Sequence, residues 1–329
     1  MLSESVERAP LTAVAKVLRT DAEVVVVTCN SASYIEGCLR SIPCDVFPTI
    51  VVDNASSDAT LDIVRRTFPQ VTIVENGKNL GYGPACNIGF HGTRAEYVVF
   101  SNADVVYSEG AVETLIDFLK AEPRVGITAP QFVYPDGRWQ LSYADTPGVW
   151  TGIKDVMGLN TLHRSIRRLL WPRRLDRNPR DVPYVAGAVL ALPRRAFAQM
   201  NGFDEDFYFY ADESDLCMRL RKSHWRVVFC PLTQVVHVGG GDSVRVDFSE
   251  RFLRHMVNSM GKLARKHLSP WRADFYMRTQ WLFFGAGAAI CRCAAFVRPG
   301  RSRLEARQKL FNAYARMLRE YAEDRTVNG

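Results

Sequence analysis

Residues 23–28 (EVVVVT), 49–52 (TIVV), 71–74 (VTIV) and 97–101 (YVVFS) are short runs rich in β-branched side chains, and they decide the fold. Such runs, without polar alternation, are expected to form strands buried on both faces. Helical patterns lie between them. Ser33 and Glu36 have capping-box spacing ahead of Leu39, residues 58–67 carry apolar side chains at helical intervals behind Ser57 or Asp58 as cap, and Ser108 is placed to cap a helix running to about Lys120. Alternation of strand and helix through roughly the first 125 residues predicts an α/β architecture with a mostly parallel, Rossmann-like sheet flanked by helices. Ligands of such sheets sit beyond the carboxyl ends of the strands. Standing there are Asn30, Asp53 with Asn54, Asn76, and Asn102 with Asp104.

The rest of the chain narrows the class. With 329 residues, 47% hydrophobic and 23% charged, it has ordinary globular composition and enough length for one large core or two smaller ones. Its eight cysteines form no CxxC pair and several lie in apolar runs, so they read as reduced thiols rather than a zinc site or disulfide framework. The first twenty residues lack an apolar signal region, which leads us to expect a cytoplasmic protein. A net charge of +7 and a pI near 9.0 point to an anionic partner. Much of that charge lies in Arg164–Arg180 (RSIRRLLWPRRLDRNPR) and again beyond Arg292.

Several constellations carry chemistry. Asn102–Ala103–Asp104 follows a buried strand and offers a carboxylate and an amide to a hard divalent cation, although turns often end strands with the same residues. Asp53 opens an acceptor-rich segment suited to a base or a ribose hydroxyl. The turn Asn79–Leu80–Gly81–Tyr82–Gly83, running on to Asn87, lets backbone donors approach a ligand. Asp212, Glu213 and Asp215 place three carboxylates within four positions behind the aromatic run Phe207–Tyr210, and crowding of like charges raises the pKa of at least one. A general base benefits from that environment, so Asp212 and Glu213 are the catalytic candidates, while Asp215 and Arg219 have the i, i+4 spacing of a helix-surface ion pair. His237, beside the glycine turn Gly239–Gly241, is a candidate ligand for a metal or a diphosphate.

Taken in order, these segments resemble family 2 of the inverting glycosyltransferases, in its bacterial rhamnosyltransferase-like branch. The matching pieces are VVVTCN (25–30), IVVDNASSDAT (50–60), NLGYGPACNIG (79–89), NAD (102–104), GAVLALPRRAFAQMNGFDEDF (187–207), YADESDLCMR (210–219) and VHVGGGDS (236–243). That resemblance implies a GT-A-type fold and a nucleotide-sugar donor held by Thr28, Asn30, Asp53, Asn79, Gly81, Asn87, Asn102 and Asp104. It further implies a Mg²⁺ or Mn²⁺ ion on Asp104 with His237, Glu213 as base, and a cell-surface glycan or lipid-linked acceptor. Two departures are visible. Asn102 stands where many relatives carry Asp, and the usual Glu–Asp pair is here Asp212–Glu213.

The expected organisation is an N-terminal extension (1–22), a donor half (23–130), an acceptor and catalytic half (131–246) and a basic helical C-terminal region (247–329). Within the last, 281–297 (WLFFGAGAAICRCAAFV) would span about 25 Å as a helix, short of a roughly 30 Å hydrocarbon core. It is therefore expected to lie in an anionic membrane surface, with Trp281, Phe283 and Phe284 at the acyl boundary and Arg298, Arg301 and Arg303 near headgroups. Packing against the catalytic half, or against a second subunit in a homo-oligomer, is the alternative. A nucleotidylyltransferase would need a basic glycine loop after the first strand, where Asn30–Ser33 stands instead. Nucleic-acid binding is disfavoured because the arginines are not interleaved with an aromatic platform.

Overall fold

The structure, a computed structural model, describes residues 19–173, 175–208, 210–239, 250–297 and 302–328. Most of the N-terminal extension, Phe209, Gly240–Ser243, Arg298, Arg301 and the Arg303 side chain lie outside the described residues. The first half runs β1 (Ala22–Thr28), α1 (Ile35–Ser41), β2 (Thr49–Asp53), α2 (Thr60–Thr67), β3 (Thr72–Glu75), α3 (Tyr82–Gly92), β4 (Tyr97–Asn102), β5 (Val105–Tyr107) and α4 (Ala111–Ala121). It continues through β6 (Val125–Val133), β7 (Tyr143–Ala144), α5 (Val149–Val156), α6 (Leu159–Leu170), β8 (Arg180–Asp181), β9 (Tyr184–Val185), β10 (Val189–Pro193), α7 (Arg194–Gln199), α8 (Asp212–Lys222) and β11 (Arg226–His237). Three long helices follow: α9 (Glu250–His267), α10 (Pro270–Val297) and α11 (Ser302–Asn328).

The main sheet has the order β3-β2-β1-β4-β10-β6-β11-β5, with β8 paired to β11. The first four strands are parallel, as the alternating pattern predicts, whereas β10 is antiparallel to both β4 and β6. Successive side chains of a strand point to opposite faces. Val24, Val26, Val51, Val99 and Ala191 therefore pack under α1, α2 and α4, and Val25, Val27, Val52, Val98 and Leu190 pack under α3, α7 and α8. Both faces are thus buried, which is why the central runs contain almost no polar side chains. β3 departs from that expectation. It is an edge strand, and its residues are half-buried or exposed because only β2 covers it.

The expected caps are also corrected. Tyr34, not Ser33, occupies the position ahead of α1, and Glu36 pairs with Arg40 at 2.6 Å instead of reaching back to the backbone. Gly110 precedes α4 with φ 71°, while the Ser108 hydroxyl donates to the Gln234 carbonyl at 2.7 Å. Asp58 does serve the start of α2, accepting from the Thr60 N–H at 3.0 Å.

At the C-terminus, α11 folds back along α10. Leu253 and Val257 of α9 meet Tyr314, Met317 and Leu318 of α11 in a separate small core. Phe284 is turned into this bundle, stacked on Tyr314 with centroids 4.4 Å apart, so it does not face outward as the sequence reading expects. Trp281, Leu282, Ile290 and Phe296 are exposed on the other side of α10. Among the described residues no helix is long and apolar enough to cross a membrane.

Candidate active site

Strand register assembles the site. Thr28 of β1 pairs with Asp53 of β2, and Val27 pairs with Asn102 of β4, so three carboxyl-terminal strand ends stand side by side. A pocket of about 410 Å³ opens beyond them, lined by Thr28, Asn30, Asn54, Asn79, Gly81, Asn102 and Asp104 among others. Six of the eight expected donor-binding residues are therefore brought together. The Thr28 hydroxyl is buried in this wall with no hydrogen-bond partner among the described residues. Asn30 adopts φ 51° and accepts from the Ser57 N–H at 2.8 Å, pinning the loop after β1 to the loop after β2.

Asp53 and Asn87 stand apart from the pocket lining. The Asp53 carboxylate is 1% exposed and accepts from Ser56, at 2.8 Å from the N–H and 2.5 Å from the hydroxyl. Asn54, one residue on, does face the pocket and donates to the Gly81 carbonyl at 3.0 Å. The Asn87 amide binds both backbone groups of Phe203 and the Glu205 carboxylate, fastening α3 to the loop ahead of α8. Tyr34, Tyr82 and Tyr208 also line it; Tyr82 and Tyr208 lie within segments the sequence singles out, whereas Tyr34 carries no such signal.

Gly81 is required twice over: its φ is 93°, and a Cβ would collide with the Tyr208 carbonyl. That contact closes one end of the pocket. Gly239 has a comparable role, since a Cβ there would strike the Asp104 carboxylate, which accepts its N–H at 3.1 Å.

Asp104 and His237 meet because β11 runs antiparallel to β5 with His237 opposite Val105. Imidazole Nε2 lies 3.5 Å from the Asp104 carboxylate. Burial raises the Asp104 pKa, but His237 and the Gly239 N–H outweigh it and hold the carboxyl below its usual range. Among the described residues no cluster of three or more His, Cys, Asp or Glu is arranged around a metal. A carboxylate on the pocket wall with an imidazole 3.5 Å behind it nevertheless suits a cation that takes its remaining ligands from a diphosphate and water.

The second centre is the start of α8. Tyr210 and Ala211 are both left-handed, at φ 60° and 72°, a conformation that costs free energy for non-glycine residues. Their effect is to turn the chain so that Asp212 and Glu213 open the helix side by side. Burial, and then the neighbouring Asp212 charge, push Glu213 well above the usual carboxylate range. Asp212 is raised by burial too, moderated by its hydrogen bond with Glu213 and by the Gly83 N–H at the start of α3. Each carboxylate therefore binds a proton more tightly than an isolated one would, the property a general base uses.

Asp215 corrects the sequence reading. It does pair with Arg219, at 2.7 Å, but it is fully buried rather than on a helix surface. Its other oxygen binds Lys266 and His267 of α9, each at 2.7 Å. Burial raises the Asp215 pKa, yet His267, Lys266 and Arg219 together bring it down to about 2. Neither α9 residue could be linked to Asp215 from the sequence, because they lie some fifty positions away with no motif between.

Comparisons with known proteins point to one enzyme family. The profile described as glycosyl transferase family 2 matches residues 23–199. The N-acetylglucosaminyl-diphospho-decaprenol L-rhamnosyltransferase of Mycobacterium tuberculosis is 30% identical over 275 residues, covering 76% of this chain and 86% of that protein. Rhamnosyltransferase WbbL of Escherichia coli is 22% identical, covering 74% and 93%. Among solved structures, the Pyrobaculum calidifontis mannosyltransferase in complex with GDP-Man and Mn²⁺ aligns with TM-score 0.57 at 22% identity, over 90% of this chain and 86% of that one. The last likeness is one of fold, and the fold is GT-A-like.

Proposed function

From the premise that the chain belongs to glycosyl transferase family 2, in its rhamnosyltransferase-like group, we propose that it is a metal-dependent inverting enzyme acting on a lipid-linked acceptor. The donor is a nucleoside diphosphate sugar, with dTDP-rhamnose first and UDP-hexoses next. The observation that carries this reading is the pocket at the strand ends with Asp104 and His237 together near its rim.

In this reading Thr28, Asn30, Asn54 and Asn79 receive the nucleoside and Asp53 stiffens the loop behind them or reads the base. Asp104 and His237 would hold Mg²⁺ or Mn²⁺. When bound, such an ion offsets the charge of a departing diphosphate. Glu213 takes the proton of the acceptor hydroxyl, which attacks the anomeric carbon from the side opposite the nucleotide. Asp212 keeps the Glu213 pKa high enough for that transfer to be effective near neutrality. The acceptor and the basic character of the chain support work at the cytoplasmic face of a membrane.

The test is turnover of a panel of nucleotide sugars with Mn²⁺, with Mg²⁺ and with chelator, with and without a polyprenyl-diphosphate sugar. Release of nucleoside diphosphate that needs both cation and acceptor is expected. Absence of cation-dependent turnover of every donor would overturn the proposal.

A further inference from the structure

Helix α6 is turned the wrong way for a helix in water. Leu159, Leu162, Ile166, Leu169 and Leu170 fall within an arc of about 100° on the helix, and they are 42–80% exposed. Arg164, Arg167 and Arg168 lie on the opposite side and are half-buried against the protein. Arg167 holds that orientation: its guanidinium sits 4.3 Å from the Trp139 ring centroid and pairs with Asp176 at 3.0 Å. An amphipathic helix ordinarily presents its apolar stripe to the core. Here the stripe faces out.

We propose that α6 is the membrane-contacting helix of this protein, lying in the interface of an anionic phospholipid bilayer with its leucine face in the acyl boundary. The inference rests on the reading of a lipid-linked acceptor and adds the surface that reaches it. Charge selects the occupant. Residues 157–175 contain five arginines and His163 and no acidic residue, and the exposed Arg173 and Arg177 follow the helix directly. Basic residues beside an apolar face attract anionic headgroups. A second copy of the same face would instead bring two arginine-rich segments together.

Position supports the same conclusion. The segment from α5 to α6 is inserted between β7 and β9, which pair with each other. Tyr184 of β9 is raised chiefly by burial, then by the charge of Glu213, while Arg164 of α6 acts on it in the opposite sense. One side chain therefore lies within electrostatic reach of both the base and the inner face of α6.

The test is flotation of the full chain with phosphatidylglycerol-containing vesicles and with pure phosphatidylcholine vesicles. The unaltered protein should float with the anionic vesicles, and Leu162→Glu/Leu169→Glu should reduce the bound fraction by roughly tenfold or more. Leu169→Gln, at the most exposed position, should give a smaller loss and guards against misfolding of the double variant. Donor hydrolysis without vesicles should be unchanged in both. Equal flotation of the double variant, or release only by Ile290→Glu/Phe296→Glu in α10, would overturn the assignment. So would a dimer of the unaltered chain that fails to float and that the α6 changes convert to monomer. If the protein floats through α6 but turns over no donor, the catalytic reading fails and the membrane surface stands.

Discussion

His237 lies 3.5 Å from Asp104 although 133 positions separate them, and the antiparallel register that sets His237 against Val105 is what joins them. Removing either partner should therefore act on one function. Asp104→Ala should abolish cation-dependent nucleotide binding, and His237→Ala should weaken Mn²⁺ more than Mg²⁺, because imidazole is the softer donor. Calorimetry of nucleotide binding with each metal and with chelator checks this. Equal binding with and without chelator in the unaltered protein would remove the cation from Asp104.

Glu213→Gln should keep donor binding and lose acceptor-dependent turnover, since the amide has similar shape and accepts no proton. The same change should raise the melting temperature at neutral pH. Glu213 has a folded-state pKa raised by burial and Asp212, so its contribution favours folding at low pH and is lost as pH rises past the ordinary glutamate value of about 4.3 toward the raised one. An uncharged isostere is free of that penalty. Thermal denaturation at pH 5 and pH 8 should show a gain for the variant that is larger at pH 8.

The pH profile follows from the same carboxylate. A base must be ionised to act, so kcat/KM should fall on the acidic side through a pKa well above that of an ordinary glutamate. Asp212→Asn removes the neighbouring charge and should move that limb to lower pH. An unmoved limb would assign it to another group.

Asp215→Asn should destabilise the protein by on the order of 3 kcal/mol, because it leaves Arg219, Lys266 and His267 without their buried counter-ion. The folded-state pKa of about 2 gives the sign for acid: this stabilisation is complete above the ordinary aspartate value of about 3.9 and is lost as pH falls toward 2. Denaturant titrations of both proteins between pH 2 and pH 6 should converge at the acidic end.

Gly81→Ala should weaken nucleotide binding at least tenfold. The new methyl meets the Tyr208 carbonyl at a positive φ, so the loop must move and take the pocket wall with it. Asn79, whose amide oxygen accepts the Gly81 N–H at 3.0 Å, moves with that loop. Titration of nucleotide against both proteins measures it.

Much of this was legible in the chain. Strands β1, β2 and β4 have no solvent-facing side, so their sequences are continuous apolar runs whose ends mark the pocket. The pocket positions of Asn102 and Asp104 follow from those ends, and the raised pKa of Asp212 and Glu213, chiefly an effect of burial, was signalled by the crowding of carboxylates. What stayed hidden depends on distant pairing. Asp53 and Asn87 have the residue types of ligand contacts, and the sequence does not show that Asp53 also accepts from Ser56 or that Asn87 also binds Phe203. Asp215 reads as a surface pair from its own helix, because Lys266 and His267 arrive only when α9 docks. Similarly, nothing local says which face of α6 turns outward. Its leucines have the spacing of a core helix, and the seat of Arg167 on Trp139 and Asp176 is what fixes the rotation.

The insertion of β10 between β4 and β6 bears on how this protein could be re-engineered. A strand from the later half of the chain supplies the hydrogen-bonding neighbour of the strand that ends in Asn102. Splitting the gene near residue 130 would leave that strand with an open edge. Donor specificity therefore cannot be transplanted by swapping an N-terminal cassette between relatives. Exchange has to be made loop by loop, in the turns after β1, β2 and β3, with the woven sheet left whole.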